Sequence, residues 1–389
     1  MAKYSAQIER LRPMLSRRVM IAAVTPLASI FGSGFLIIVP VLERTLGALA
    51  IFGVVGICGF AWLVGISIRH NVATVEPLEA DGRLDSSIHK IERAADLAIV
   101  IAYVISVALY LRIMSQYVVD FGASGSDTAQ RALASGAVLV IVGVGVVRGF
   151  SGLDLMERAA LISVLVLTTI FGGALFIHDG AALAGGGIRL PPVPGKGVAE
   201  VLLVLGGIVI TVQGFETVRY LADEYDRTTR IWACRLSQLV SSSIYIGFVA
   251  LATPVMGLGS GHGVDATLLD ISGRVLPLLS LPVVITAILS QFSAATADTV
   301  AADGNLRRLF GPWMRAPRPY VISGAAVILL VWTIPIFTII AVASRAFAAY
   351  YSLQCVVALK TSDRSLAKLG FGLLALVLAA ITLLAKPAG

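Results

Sequence analysis

Two interrupted hydrophobic segments stand out along the chain. One covers residues 19–41 and is broken near its middle by the motif Gly32-Ser33-Gly34. The other covers residues 198–221 and contains the motif Gln213-Gly214-Phe215-Glu216. Glycine weakens a helix because its backbone is unusually free, and a glutamate inside a membrane span is costly. Since both motifs fall at a similar depth, the pattern predicts two broken membrane helices, as in an inverted-repeat transporter whose binding site lies at the breaks.

Hydrophobic windows about 20 residues long predict about eleven membrane spans. They cover residues 19–41, 47–69, 94–120, 132–148, 157–177, 198–221, 237–258, 275–302, 319–333, 335–359 and 367–385. Residues 19–177 and 198–359 each hold five spans, and an odd number makes the two halves cross the membrane in opposite directions. We therefore predict an all-α integral membrane protein with a single transmembrane domain. Its fold would be a five-plus-five inverted repeat with broken helices 1 and 6, plus one additional helix at 367–385.

Composition and charge support a membrane protein. A mean hydropathy of +0.90, with 57% hydrophobic and 14% charged residues, excludes a soluble chain. The net charge of +7 would suit nucleic acid, but 22 of the 30 Lys and Arg residues fall on the N-terminal side of the predicted membrane, six on the other side and two within spans. The positive-inside rule predicts a protein of the cytoplasmic membrane with a cytoplasmic N-terminus and an external C-terminus. We expect membrane lipid, and no nucleic acid, as a partner.

The sequence lacks the motifs of membrane enzymes and metal sites. Its three cysteines offer no CxxC spacing, its four histidines are scattered over predicted loops, and neither HExxH nor GxSxG occurs. We therefore predict no enzymatic activity, no catalytic residues, and no bound metal or cofactor.

Broken membrane helices create a polar site because the freed backbone groups need partners. Half-helix N-termini favour a carboxylate, and freed carbonyl groups suit a cation or an ammonium group. The Ser33 hydroxyl would add a further polar group between Gly32 and Gly34. The alternative is a close crossing of two helices at the glycines. The matching break at Gln213 and Gly214 favours the binding site.

Charged residues inside predicted spans are further candidates. Glu216 directly follows the second break, and intramembrane acids usually face a cavity. It could carry a coupling proton or contact substrate, or it could form a structural ion pair. Arg345, near the midplane of the tenth span, suits a substrate carboxylate or a buried pair with Glu216 or Asp298. Arg112 in the third span either lines an outer vestibule or extends to the membrane surface.

Polar and aromatic side chains in other spans extend the candidate site. The hydroxyl groups of Ser290 and Ser293 in the eighth span would suit Na⁺, or they bond to carbonyl groups of their own helix. The coupling ion is therefore either Na⁺ or H⁺. Tyr103 and Phe215 are candidate walls of a substrate pocket, although such side chains also commonly face lipid or the protein core.

Three motifs resemble helices 1, 6 and 8 of the amino acid–polyamine–organocation (APC) superfamily. They are Ile30-Phe31-Gly32-Ser33-Gly34-Phe35, Gly214-Phe215-Glu216 followed by Ala222-Asp223-Glu224, and Ala301-Ala302-Asp303-Gly304. The resemblance covers the first ten predicted spans and implies the five-plus-five fold called LeuT-like. In that superfamily, backbone atoms at the two breaks hold the α-amino and α-carboxyl groups of the substrate. By resemblance these contacts fall at Gly32, Ser33, Gly34, Gln213, Gly214 and Phe215. Glu216 takes the place of a proton-sensing glutamate.

The chain also departs from this superfamily. The fifth predicted span holds no lysine, which some proton-coupled relatives carry there, and Arg345 suggests a more anionic substrate. Most relatives have twelve helices, whereas about eleven are predicted for this chain. The expected function is secondary active transport of an amino acid or related small organic solute, such as a carboxylate, by alternating access with ion or proton coupling. The alternative is a transporter-like channel or sensor for a small anion or inorganic ion.

Overall fold

The computed structural model describes residues 16–122, 126–148, 153–185, 187–188, 190–256, 267–314 and 317–387. Within these ranges the chain is helical and contains no β-strand. Eight helical segments of the described chain are long and apolar enough to cross a membrane. The predicted all-α class is therefore confirmed, and the eight apolar segments are consistent with a membrane protein. The total number of spans and their arrangement as an inverted repeat stay predictions.

Fourteen α-helices cover most of the described residues. They are α1 Arg17–Ala22, α2 Val24–Gly34, α3 Ile38–Leu46, α4 Ala50–Ala80, α5 Ser86–Gly122, α6 Asp127–Arg148, α7 Leu153–Ala184, α8 Val198–Gly206, α9 Arg227–Ala252, α10 Thr267–Val275, α11 Ser280–Phe310, α12 Arg318–Thr333, α13 Ile336–Thr361 and α14 Ser365–Leu384. Two short 3-10 helices that matter for the site, Val209–Val212 and Phe215–Leu221, follow α8.

The long helix α5 lies at the centre of the fold. In its most hydrophobic window 78% of the residues are buried, and it packs mainly against α11 and α13. The peripheral helices α6 and α14 bury only 22% and 17% of the corresponding windows. Their exposed leucine and valine side chains are compatible with lipid, which is as apolar as they are. The arrangement keeps polar residues of α5, α11 and α13 in the interior.

Several helices extend beyond the predicted spans. Helix α4 continues to Ala80 and α9 begins at Arg227, so both pass well beyond the apolar windows. A polar cap accounts for the start of α9, because the Asp226 carboxylate accepts hydrogen bonds from the backbone N–H and the hydroxyl of Thr229. These bonds also lower the pKa of Asp226. Hydropathy detects the membrane-buried part of a helix and misses its polar extension.

Both predicted interruptions occur, with one displaced along the chain. Helix α2 continues through the predicted break and ends at Gly34, and the turn lies at residues 35–37, where the Ile37 N–H donates to the Gly34 carbonyl at 3.1 Å. The prediction of a break at Gly32, Ser33 and Gly34 was therefore wrong by about three residues, because two glycines do not stop a helix whose carbonyl groups stay bonded. In the second segment, residues 213 and 214 are not helical and separate the two 3-10 helices, and Gly214 has a φ of 126° and a ψ of −16°.

Candidate substrate and ion site

The two interrupted segments meet through bare backbone. A Cβ added to Gly34 would overlap the Thr211 carbonyl group, so only glycine allows this approach. Gly214 has a φ of 126°, a conformation that favours glycine, and an added Cβ would lie 2.7 Å from the Ile30 backbone nitrogen. Gly34 and Gly214 therefore hold the ends of the two broken segments together at the centre of the fold.

Side chains from four other helices bind the carbonyl groups beside the interruptions. Unwound backbone inside a membrane persists only where such partners exist. Each side chain donates to one backbone carbonyl group. Tyr245 OH donates to Ile30 O at 2.8 Å and Gln291 Nε2 to Gly32 O at 2.7 Å. Tyr117 OH donates to Leu36 O at 3.2 Å and Ser344 Oγ to Gly207 O at 2.8 Å. Helices α9, α11, α5 and α13 thus all bind to the interrupted segments.

Glu216 folds back over the second interruption. Its Oε2 atom accepts hydrogen bonds from the Gly214 N–H at 2.9 Å and from the Tyr351 hydroxyl at 2.6 Å. The residue is fully buried, and its Oε1 atom has no hydrogen-bond partner among the described residues. No cationic side chain of the described chain lies within 4.0 Å of this carboxyl group. Because an isolated buried carboxylate is costly, the site calls for a proton or a cationic ligand group.

An aromatic cluster surrounds this carboxyl group. The Phe215 and Tyr351 rings stack with centroids 5.3 Å apart, and the Tyr103 ring meets the Phe347 ring edge-on at 5.9 Å. All four side chains are buried. The structure therefore brings the predicted wall residues Tyr103 and Phe215 into the same cluster, linked through Tyr351 and Phe347 of α13.

A second buried carboxyl group was not predicted as part of the candidate site. Asp298 of α11 is 2% exposed and accepts a short hydrogen bond from the Ser106 hydroxyl of α5. Gln213, at the second interruption, donates to the hydroxyl of Tyr110 at 3.2 Å, also on α5. The sequence pointed to Asp298 only as a partner for Arg345. An acid eight residues beyond Ser290 in an apolar window was the available signal.

The predicted hydroxyl ligands lie where α11 meets α2. An added Cβ at Gly32 would lie 2.5 Å from the Ala294 Cβ and 3.4 Å from the Ser290 carbonyl oxygen. The Ser293 hydroxyl and the Gln291 Oε1 atom are buried without hydrogen-bond partners among the described residues. The side chain of Ser33 lies outside the described part of the structure. Ser290 therefore lies close to the first interrupted segment, with its hydroxyl donating to the Ala287 carbonyl of its own helix at 3.5 Å and accepting from Gln291 Nε2 at 3.4 Å. The Ser293 hydroxyl and Gln291 Oε1 are the buried side-chain oxygen atoms of α11 without a partner among the described residues.

Arg345 has a different partner from those the sequence suggested. Its guanidinium group donates to the Ala385 carbonyl, with Nε at 3.0 Å, at the C-terminal end of α14. No carboxylate of the described residues forms an ion pair with it, so a buried pair with Glu216 or Asp298 is not present. Arginine suits this position because it supplies donors to carbonyl groups left free at a helix end. Arg112 is likewise buried, and it pairs with Asp127, whose side chain is exposed.

A buried ion network at one end of the bundle was not predicted. Arg219 Nη2 lies 3.1 Å from Glu92 Oε2, and Arg230 Nη2 lies 2.6 Å from Glu76 Oε2. Arg219 also lies 3.7 Å from Glu76, which joins the two pairs. A cavity of about 620 Å³ opens beside them. The network fastens the segment after the second interruption to α4, α5 and α9.

We expect Glu92→Gln to destabilise the protein by about 2 kcal/mol, because Arg219 loses its close counter-charge in a buried site while the amide retains hydrogen bonding. Glu79 provides the matched control, since its pair with Arg308 is half exposed on the arginine side. Glu79→Gln should cost at most about 1 kcal/mol. Thermal unfolding of the purified variants in detergent measures both. An equal loss of stability in the two variants would show that burial does not strengthen the pair between Arg219 and Glu92.

Comparison with known proteins agrees with this organisation. The model of a family described as "APC superfamily transporter" matches residues 12–385. The chain is also 36% identical over 353 residues to an "Uncharacterized protein" of Aquifex aeolicus (strain VF5), which covers 90% of this chain and 86% of that relative. The family match spans both interrupted segments and all the helices that surround them. The chain therefore belongs to the APC superfamily of transporters.

Proposed function

We propose that this transporter moves an amino acid or a related small organic solute by alternating access, coupled to H⁺ or Na⁺. One observation carries the proposal: a buried carboxyl group without a cationic partner lies where two interrupted helices meet. Glu216 Oε2 binds the freed Gly214 N–H, and its Oε1 atom is left without a hydrogen-bond partner among the described residues. Such an arrangement suits a ligand that brings a positive charge or a proton into the membrane.

The polar groups at the interruptions match the two ends of an amino acid. The free oxygen of Glu216 would accept a hydrogen bond from an ammonium group. The backbone N–H groups at the start of α3, after the turn at residues 35–37, would approach the carboxylate, as half-helix N-termini do for anions. Tyr103 and Phe215 would pack against the side chain of the solute. Because Arg345 is held by the end of α14, we do not assign it to the substrate in this conformation.

Two coupling ions fit different parts of the site. A proton would reside on Glu216. Sodium would instead lie between α2 and α11, where Ser293 and Gln291 have unbonded oxygen atoms and the Ser290 hydroxyl lies nearby. Oxygen atoms of this kind are the ligands that hard cations prefer. The first choice is the proton, since Glu216 directly connects the charge to the helix interruption.

The ion network around Arg219 would act as a gate on one side. It ties the residues after the second interruption to α4, α5 and α9, so the path from the site would open only when these pairs separate. The excess of basic residues in the predicted loops on this side favours a cytoplasmic location. The chain would thus lie in the cytoplasmic membrane with its N-terminus inside.

The test combines binding with flux. In detergent, a panel of amino acids, amines and small carboxylates is screened for thermal stabilisation with Na⁺ or K⁺ at pH 5.5 and 7.5. A ligand present at 100 times its Kd should stabilise the protein by about 2.7 kcal/mol. Each ligand found is then tested for uptake into liposomes under a pH gradient, a sodium gradient or neither.

Accumulation of an amino acid above its external concentration under one gradient would support the proposal and identify the coupling ion. Passive equilibration of an inorganic ion without accumulation would favour the channel alternative. Binding without any flux would favour a sensor. Either of these outcomes would contradict coupled transport.

A further inference from the structure

A cationic groove lies on the outer surface of the helix bundle, apart from the candidate transport site. Its cavity of about 880 Å³ lies between α4, α9 and the connection from α13 to α14. Arg69, Arg235 and Arg364 line it together with one acid, Asp363. With His70 neutral, three arginines and one aspartate give the groove a formal charge of +2. The volume falls within the range of roughly 300–1,000 Å³ typical of sites for small ligands.

The arginines of this groove lack acidic partners. No carboxylate of the described residues forms an ion pair within 4.0 Å of any of the three. Arg69 is 7% exposed and donates only to neutral groups: the side chain of Gln238, the Trp62 carbonyl at 3.4 Å and the Cys234 sulfur at 3.7 Å. Hydrogen bonds to neutral acceptors leave its charge uncompensated, and a buried charge without a counter-charge is costly. An anion in the groove would compensate it.

The groove lies at the expected boundary of the lipid bilayer. Helix α14 has 20 residues and is mostly exposed, and its length of about 30 Å equals the thickness of a bilayer core. Arg364 is the residue immediately before this helix. Arg69 lies at a similar distance, about 30 Å, from Ala50 at the other end of α4. Both arginines are therefore at the level where lipid headgroups begin.

Aromatic and apolar side chains complete an amphipathic surface. The guanidinium groups of Arg69 and Arg235 each lie 4.7 Å from a tryptophan ring, those of Trp62 and Trp232. Tryptophan is enriched at membrane interfaces because its ring has an apolar body and a polar edge. Ile66 and Leu239 line the groove below the arginines and are themselves exposed, so the groove opens toward the surrounding lipid.

We propose that this groove binds an anionic phospholipid, with its phosphate on the arginines and its acyl chains along the apolar wall formed by α4 and α9. Arginine suits the phosphate because its planar donors match two oxygen atoms at once. Basic pockets between membrane helices on the cytoplasmic side are a known form of lipid headgroup site. Lipid binding here requires a chain that spans a membrane and is independent of which solute the transporter carries.

The test uses the full-length protein after removal of lipid in detergent. Dioleoyl-phosphatidylglycerol, dioleoyl-phosphatidylcholine and inorganic phosphate are titrated separately while thermal unfolding is followed. Phosphatidylglycerol should stabilise the protein at concentrations where the other two have little effect. Equal stabilisation by phosphatidylcholine would show that the groove contacts only the apolar part of a lipid and does not recognise an anionic headgroup. An equal effect of inorganic phosphate would make it a site for a soluble anion, and both results would overturn the proposal.

The double variant Arg235→Gln and Arg364→Gln removes two charges while leaving the buried Arg69 in place, so it should fold. We expect its half-saturating concentration of phosphatidylglycerol to rise about tenfold, equivalent to about 1.4 kcal/mol. The matched control is Arg83→Gln with Arg318→Gln, two arginines outside the groove, of which Arg318 also lies over a tryptophan ring. An unchanged titration in the groove variant, or an equal loss in the control, would overturn the assignment.

Discussion

Replacing Gly34 by alanine is expected to abolish transport and to destabilise the folded protein by about 3 kcal/mol or more. The added methyl group would overlap the carbonyl group of Thr211, which is backbone and cannot rotate away as a side chain would. The two interrupted segments would have to separate at the point where we place the substrate. Thermal unfolding in detergent and solute uptake into liposomes measure the two effects.

Gly56 and Gly59 of α4 serve as controls for the same chemical change. They are exposed, and an added Cβ at either position would meet no atom within 4 Å. Gly56→Ala and Gly59→Ala should therefore be neutral, or stabilising by up to about 1 kcal/mol, because alanine favours a helix more than glycine does. If the Gly34→Ala protein had the same thermal stability and the same transport activity as these controls, the close contact inferred between the two segments would be disproved.

Gly214→Ala would test the other side of this contact, but Gly34 is the sharper position. At Gly214 a methyl group would meet both a close neighbour and an unfavourable φ of 126°, so two causes would be mixed. Gly34 lies in ordinary helix at the end of α2, and the three atoms nearest to an added Cβ all belong to the backbone of Thr211. A loss of function at Gly34 can therefore be attributed to the contact alone.

The sequence predicted the helical class and the neighbourhood of the site because both leave local signals. Long apolar windows have few alternatives to membrane helices, and a glutamate after a glycine within such a window is conspicuous. Glu216 and the non-helical residues Gln213 and Gly214 were located in this way. The turn after Gly34 lies about three residues later than the sequence predicted. A helix ends where its backbone hydrogen bonds fail, and the side chains that bind the freed carbonyl groups come from helices distant in sequence.

Pairings between distant residues left no comparable signal. Arg219 and Glu92 are separated by 127 positions, and each reads as an ordinary charged residue at the end of a span. Arg345 was placed at a midplane depth from its own helix, but its partner is the end of α14, whose position beside α13 is a property of the fold. Charge inside a membrane thus predicts that a partner exists, and only the structure identifies it.

The carboxyl group of Glu216 joins the local and the distant parts of the site. It binds an N–H freed by the interruption next to it and a hydroxyl from α13, so a change in its charge would act on both elements. Alternating access requires such a link, because an ion must bias one of two arrangements of the helices to drive the solute. A proton that neutralises Glu216 would weaken its hold on Gly214 and Tyr351, since charge-assisted hydrogen bonds are stronger than neutral ones.

Glu216→Gln should therefore fold and bind solute, yet lose accumulation driven by a pH gradient. The amide oxygen can still accept a hydrogen bond from Gly214 or Tyr351, so the interruption stays capped, but the side chain can no longer exchange a proton. We expect uptake at acidic external pH to fall roughly tenfold, or about 1.4 kcal/mol, to the level seen without a gradient. Glu200→Gln, an exposed acid at the start of α8, is the control and should keep the wild-type pH profile. A Glu216→Gln protein with a wild-type pH profile would exclude Glu216 as the proton carrier, and uptake that then followed a sodium gradient would move the coupling site to Ser290 and Ser293.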